Sequence, residues 1–322
     1  PIYKSSALIA GITPYSSLGY DFSHDITDPA LVASAGNINY RSNGEGSLYQ
    51  LFLGGGATFW NKLSVGAQFL YYFGNMDKST SMDFTSASYR DIYSGYNLNL
   101  HAVGGKFGVQ YDQALAPGLY MTVGATYKTS SRLKGRVSDY KYATISSQSD
   151  TLHYNVDTLS HGSNVKLASE YGVGIALRKG DKWRIEFDYT RSDWRNSNFD
   201  KTTGFANVGA STFSTTYSQS FKAGFEIVPN RNDIRYYMRR CSYRAGMYYD
   251  RDYYKLDGNT VNSYGVTLGI TLPVFRWYNG ISIGVDLGQR GTNTGNMIRE
   301  RYAMFVVGFN IHDIWFQKPK YD

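Results

Sequence analysis

The chain has 322 residues, a net charge of +7, 18% charged and 16% aromatic residues, with 30 tyrosines and 34 glycines against 7 prolines. No stretch reaches the ~20 apolar residues of a membrane helix, the basic residues are dispersed rather than clustered as nucleic-acid binding requires, and one cysteine, Cys241, excludes an intramolecular disulfide framework. Two ordinary soluble domains or one large β structure remain.

In chain order, Lys4–Ile12 and Ser16–Ser23 read as a strand pair around the tight turn Thr13-Pro14-Tyr15, followed by a long polar loop, His24–Gly46. Ser47–Phe59 and Leu63–Phe73 pair around Trp60-Asn61-Lys62, and Gly74–Tyr96 is again long and polar. Asn97–Tyr111 and Leu119–Thr129 pair around Asp112–Gly118. In the first of these, Leu98, Leu100 and Ala102 hold the apolar phase and hand it after Gly104-Gly105 to Phe107, Val109 and Tyr111, which predicts a β-bulge. Ser130–Asn164 is the longest loop. Val165–Leu177 and Trp183–Thr190 pair around Arg178–Lys182, Arg191–Thr216 is another long loop, and Tyr217–Val228 and Ser242–Asp250 flank Pro229–Cys241. The clearest alternation comes last. In Val261–Leu272, the residues Tyr264, Val266, Leu268, Ile270 and Leu272 oppose Ser263, Gly265, Thr267, Gly269 and Thr271. Ile281–Gly288 and the strand around Ala303, Phe305, Val307, Phe309 and Ile311 repeat the pattern.

Period-two alternation means strands, because successive side chains point to opposite faces. Strand after strand of ~10 residues with one apolar face and one small or polar face is the signature of a transmembrane β-barrel. Short and long connections alternate, as short periplasmic turns and long extracellular loops do. Trp60, Trp183, Trp277 and Trp315 fall at the short-turn end and only Trp194 at the other, consistent with an interfacial girdle. The expectation is an all-β, antiparallel, up-and-down barrel forming one domain over residues 1–322, integral to the bacterial outer membrane and in contact with its lipid. Thirteen strands are legible; because such barrels have an even number, at least one upstream strand is expected, for about fourteen. No secretory signal is present, so the chain reads as processed or partial.

Leu48–Phe59 with Leu63–Gly74, Tyr243-Arg244-Ala245-Gly246, Ser263-Tyr264-Gly265-Val266 with Leu272-Pro273, Gly288-Gln289-Arg290-Gly291-Thr292 and Asp313-Ile314-Trp315-Phe316 resemble the FadL-like (OMPP1/FadL/TodX) outer-membrane family, in its divergent Bacteroidetes-type branch. The resemblance implies a fourteen-stranded barrel, a channel for hydrophobic small molecules and an N-terminal plug segment that this sequence does not contain. It carries no ligand-contacting residue onto a numbered position.

Alternation points Lys166, Glu170, Arg184, Glu186, Asp188, Lys222, Glu226, Arg244 and Asp286 into the lumen. Buried charges persist when paired, so these read as a bracing network that occludes the barrel, with a polar permeation path as the alternative. His153, Asp157 and His161 have zinc-compatible spacing on a helix, but their Ser/Thr/Asn surroundings argue for solvated loop, and no metal or cofactor is expected. No histidine sits in a nucleophile setting, so no enzyme is expected; His312 and Asp313 are merely adjacent. Pro229–Cys241 is long for a short-side turn and carries Arg231, Arg235, Arg239 and Arg240, which suit lipid phosphates or a periplasmic protein partner. Two functions follow: a channel for a hydrophobic ligand, or a structural subunit of an outer-membrane complex such as the BAM protein-assembly or a secretion machinery.

Overall fold

The computed structural model describes residues 5–310 apart from 87, 146–147, 159–164, 203, 206–210, 275–278 and 296. The elements are β1 (Ser6–Asp25), a short helix α1 (Pro29–Ala35), β2 (Ile38–Phe59), β3 (Leu63–Phe84), β4 (Asp91–Ala116), β5 (Leu119–Lys128), β6 (Ser131–Arg132), β7 (Lys134–Ile145), β8 (Gln148–Thr158) and β9 (Lys166–Leu167). They continue with β10 (Glu170–Lys179), β11 (Trp183–Asp193), β12 (Phe213–Thr215), β13 (Tyr217–Ile227), β14 (Ser242–Leu256), β15 (Asn259–Pro273), β16 (Gly280–Arg290) and β17 (Glu300–Asn310). One antiparallel sheet runs β1-β2-β3-β4-β5-β10-β11-β13-β14-β15-β16-β17, with the β7–β8 hairpin attached to β4 and β12 attached to β14. Fourteen of its fifteen strands are ten residues or longer, twelve on the path and two in the hairpin.

The first expected hairpin does not form. β1 is a single strand, registered from Ser6 opposite Ala57 to Asp25 opposite Asn39, with an irregularity between Pro14 and Ser16. Proline lacks an N–H, which interrupts a ladder without reversing the chain, and it is tolerated on an end strand of the path. β1 therefore starts beside the Trp60 turn and rises away from it. Among the described residues the path has twelve long strands where thirteen were legible, and the β7–β8 hairpin brings the long strands of the sheet to the expected fourteen.

Several expected outer loops are strands. β2 and β3 have 22 residues each and β4 has 26, about 70 Å or more at ~3.3 Å per residue, whereas a crossing needs about 10. Ser130–Asn164 supplies the β7–β8 hairpin, and β14 meets β15 at a two-residue turn, Asp257-Gly258, with φ of 49° and 79°. Above the membrane both faces of a strand meet water. Backbone pairing then persists while the hydrophobic alternation that reveals a strand disappears.

Outward side chains form the lipid belt. Cross-strand registers place Ile185, Phe225, Ala245, Leu268, Val285 and Phe305 in one row, with Leu268 60% and Phe305 75% exposed. Trp60 sits at the short-turn rim, 83% exposed and with φ of 50°. Trp277 and Trp315 lie outside the described residues.

No bulge occurs at Gly104-Gly105: the β3–β4 register is continuous from Leu63–Tyr111 to Met82–Ile92. Val103, Phe107, Val109 and Tyr111 face outward and are exposed, while Leu98, Leu100 and Ala102 face inward and are buried. Both faces are apolar here because the interior contains a core of its own. Leu48, Leu70, Tyr72, Leu98, Leu100 and Ala102 on the barrel wall pack with Leu133, Val137, Val165 and Leu167 and against Trp194, Phe199 and Phe205. The connecting segments fold inward to build it. Leu133 N–H donates to the Val165 carbonyl at 3.0 Å, Lys166 N–H to the Ser197 carbonyl at 3.0 Å, and Ser192 Oγ to the Ser169 carbonyl at 2.8 Å.

The orientation has a direct check. In a Cys241→Ser background, a cysteine at Asn293, exposed between β16 and β17, is expected to label with an impermeant maleimide on intact cells. One at Ile234, 100% exposed between β13 and β14, is expected to label only once the outer membrane is opened. The opposite pattern would invert the topology.

Candidate functional site: a charged interior wall and a basic turn

Below the apolar core, β10 to β17 turn a polar face inward. Arg184, Glu186, Asp188, Lys222, Glu226, Arg244 and Asp286 line one cavity of about 630 Å³. Glu186, Asp188 and Lys222 also line a neighbouring cavity of about 1090 Å³ with Gln68 and Lys106. Arg184 Nε lies 2.8 Å from Glu186 Oε1. Arg244 Nε donates to Glu226 Oε2 at 2.5 Å, and its Nη1 donates to Thr271 Oγ1 at 3.0 Å. Asp188 and Lys222 stand directly opposite across β11 and β13.

Of the other two expected lumen charges, one leaves the wall and one stays on it. Lys166 belongs to β9, which pairs with β6 off the main sheet, so it is part of the infolded core segment. Glu170 opens β10 and pairs with Lys128 at 3.2 Å. Lys128 escaped the sequence reading although period two from Thr122, Gly124 and Thr126 places it inward. The charges line cavities, and the side chains of the packed interior cluster are apolar.

Tyr248 and Tyr302 were also missed. Tyr248 Oη donates to Asp286 Oδ1 at 3.0 Å and meets Tyr302 Oη at 2.5 Å. Their seats are glycines: a Cβ at Gly265 would come within 2.5 Å of Tyr248 Oη, and one at Gly288 within 2.5 Å of Tyr302 Oη. The small inner residues of β15 and β16 thus make room for tyrosines reaching across neighbouring strands.

The turn between β13 and β14 is an ordered structure with one 3₁₀ turn, Tyr237–Arg240. Asp233 is its hub, accepting from Arg235 N at 2.9 Å and Tyr236 N at 2.8 Å and facing Arg239 at 3.3 Å. Arg235 and Arg239 lie 5.4 and 4.7 Å from the Tyr236 ring centre, and Arg240 lies 5.0 Å from that of Tyr237. The turn is tied to both neighbours: Arg231 reaches Asp181 at 3.6 Å, and Tyr237 Oη donates to the Pro273 carbonyl at 3.0 Å. Ile234 and Met238 project beside the arginines, the first fully exposed. Cys241 is buried beneath.

The Tyr236 and Arg235 amides, with the Arg239 guanidinium, hold the Asp233 carboxyl below the ordinary aspartate value of 3.8. A lowered folded-state pKa stabilises above the unfolded value and is lost as pH falls through the folded value. The Tyr236 amide should therefore stay protected from hydrogen exchange as pH falls to the ordinary aspartate range and lose protection only below it. Asp233→Asn should loosen residues 229–241 at neutral pH; unchanged exchange there would remove Asp233 as the hub.

His153, Asp157 and His161 were expected in a solvated loop, and the segment holding the first two is a strand instead. His153 and Asp157 lie on strand β8, and His161 lies outside the described residues, as do His312 and Asp313. Among the described residues no group of three or more His, Cys, Asp or Glu side chains is placed to hold a metal.

No curated protein matches the chain. Among solved structures, the CymD monoaromatic hydrocarbon channel is similar at a TM-score of 0.50 and 14% identity, covering 96% of this chain and 87% of that one. The Ralstonia pickettii toluene transporter TbuX is similar at a TM-score of 0.50 and 13% identity, covering 96% and 88%. At such identities the likeness concerns the fold. The family model described as BamG matches residues 1–322. With that match running the whole length of a chain folded as a FadL-like barrel, the protein belongs to the BamG family and is an integral outer-membrane β-barrel.

Proposed function

We propose that this barrel is a non-transporting, non-catalytic subunit of an outer-membrane multiprotein complex, of the kind that assembles outer-membrane proteins. The observation that carries the reading is the apolar core built inside the barrel from wall residues and infolded connections. A conduit for hydrophobic molecules gains nothing from packing Leu98, Leu100, Leu133 and Val165 across its interior. The wall beneath that core is charged, and an apolar solute passing it would desolvate Arg184, Glu186, Glu226 and Arg244 without replacing their partners. Membership in a family named for the assembly machinery supports the same reading. The basic turn, with Ile234 and Met238 projecting beside the arginines, supplies a docking surface on the short-turn side.

The second reading, a channel for hydrophobic small molecules, is favoured by one observation: the cavity of about 1090 Å³ is large enough for such a ligand. Purification from native membranes in mild detergent separates the two. Replacing Arg231, Arg235, Arg239 and Arg240 with Ser is expected to weaken co-purification of stable partners at least tenfold while the barrel still folds. A barrel that runs alone, and whose reconstituted liposomes take up long-chain fatty acids faster than empty ones, would establish the channel instead.

A further inference from the structure

The outward face of the barrel carries a second basic site, at the rim opposite the basic turn. Tyr189, Phe221, Tyr249 and Tyr264 form one outward row across β11, β13, β14 and β15. Their rings approach closely, 4.7 Å between Tyr189 and Phe221 and 6.4 Å between Phe221 and Tyr249. This is an aromatic girdle of the kind that marks a membrane–water boundary. The next outward row is Arg191, Gln219, Arg251 and Asn262. Arg191 stands eight residues along β11 from Trp183, and Arg251 nine along β14 from Ser242. At ~3.3 Å per residue and a tilt of about 40°, both lie roughly 20–23 Å above the short-turn rim, near the top of an apolar band about 25 Å tall.

The two guanidiniums share one aromatic support. Arg191 lies 4.7 Å and Arg251 4.1 Å from the Tyr217 ring centre, and Arg251 Nη1 donates to Tyr217 Oη at 2.6 Å. Neither forms a salt bridge among the described residues, and the Asp193 carboxylate lies within electrostatic range of Arg191. The nearby outward carboxylate, Asp193, is held by Arg195 through Nε and Nη2. Arg251 Nε is buried with no hydrogen-bond partner. Two like charges fixed side by side at the edge of a low-dielectric slab, with one carboxylate near them that is already held by Arg195, are stabilised further when a second anion joins them. Guanidinium forks suit a phosphate in particular.

We propose that Arg191 and Arg251 bind a phosphate group of a phosphorylated glycolipid in the outer leaflet. The aromatic girdle directly below supports the acyl-chain boundary, and Gln219 and Asn262 offer amide donors to the sugar. The site is continuous with the lipid belt, so the ligand is delivered by the membrane itself and its chains lie along Phe187, Met247 and Val266. Each of these is exposed on the outward face.

The test uses the full chain in a non-ionic detergent. Lipid binding is followed by native mass spectrometry and thermal unfolding. The probes are bisphosphorylated lipid A, the same lipid stripped of phosphate, phosphatidylglycerol and inorganic phosphate. Wild type is expected to retain bisphosphorylated lipid A. Arg191→Gln/Arg251→Gln should bind it at least tenfold more weakly, and Arg235→Gln at the other rim should bind it as wild type does. Inorganic phosphate should compete at high concentration, and the stripped lipid should bind weakly and equally to all variants. If the double variant fails to fold, Arg191→Gln alone, at an exposed position, carries the test with an expected loss of about threefold. Equal binding by wild type and variant, equal binding of the stripped lipid, or equal binding of phosphatidylglycerol each overturns the assignment.

Discussion

Leu100→Ala is expected to destabilise the barrel by about 2–5 kcal/mol, the range for truncating a buried leucine in a core that cannot collapse around the gap. Leu100 is buried on the inner face of β4, among Leu98, Ala102, Leu133 and Val165. Its strand is held by continuous ladders to β3 and, above, to β7, so the wall cannot move inward to fill the cavity. The measurement is the urea midpoint of the shift between folded and unfolded mobility in unheated gels. Val103→Ala, one turn of the pleat away on the lipid face, should cost much less, because lipid chains refill the space. The pair also bears on function. If the inner core is a structural closure, Leu98→Ala/Leu100→Ala should raise small-solute leakage through reconstituted barrels above the wild-type level. A stability loss at Leu100 no larger than at Val103 would mean that the interior is not packed as a core.

How much of this was legible follows one physical rule. Where one strand face met lipid and the other met the lumen, period two exposed both strand and phase, as in β11, β13, β15, β16 and β17. The inward directions of Arg184, Glu186, Asp188, Lys222, Glu226, Arg244 and Asp286 came from that signal alone, and all seven line one cavity. Where neither face carried an apolar stripe, as in the upper halves of β2 and β3, the strands read as loops. Where both faces were apolar, as at Leu98–Tyr111, the alternation carried no side information, and a change of face was mistaken for a bulge. Pro14 read as a turn because its missing N–H has the same sequence signature in a reversal and in a strand irregularity. Leu133 read as loop and Val165 as the start of a strand that in fact begins at Glu170, and neither could be assigned to the core, since their partners are distant in the chain. The Tyr248–Asp286–Tyr302 contacts were hidden for the same reason, although the glycines that seat them were conspicuous.

Val285→Arg is expected to cost about 2–4 kcal/mol, the penalty for an arginine on the lipid face near the bilayer midplane. Its depth follows from the fold. Val285 lies five residues along β16 from Gly280 at the short-turn rim, which at ~3.3 Å per residue and about 40° of tilt is roughly 13 Å, half of an apolar band about 25 Å tall. Its cross-strand partners are Leu268 and Phe305, both exposed apolar side chains, so no protein group could pair with the charge. An arginine there must snorkel past several residues or thin the bilayer. Gly284→Ser, one residue earlier and facing inward, meets only the Leu268 carbonyl, 3.7 Å from the new Cβ, and should change stability by less than about 1 kcal/mol. Both are measured as urea midpoints for refolding into lipid vesicles. In detergent micelles, which deform around a charge, the Val285→Arg penalty should shrink while that of Gly284→Ser stays put. Equal penalties at the two positions would place lipid on both faces or on neither, and would overturn the assignment of the strand faces on which the lumen wall, the girdle and the outer-leaflet site all depend.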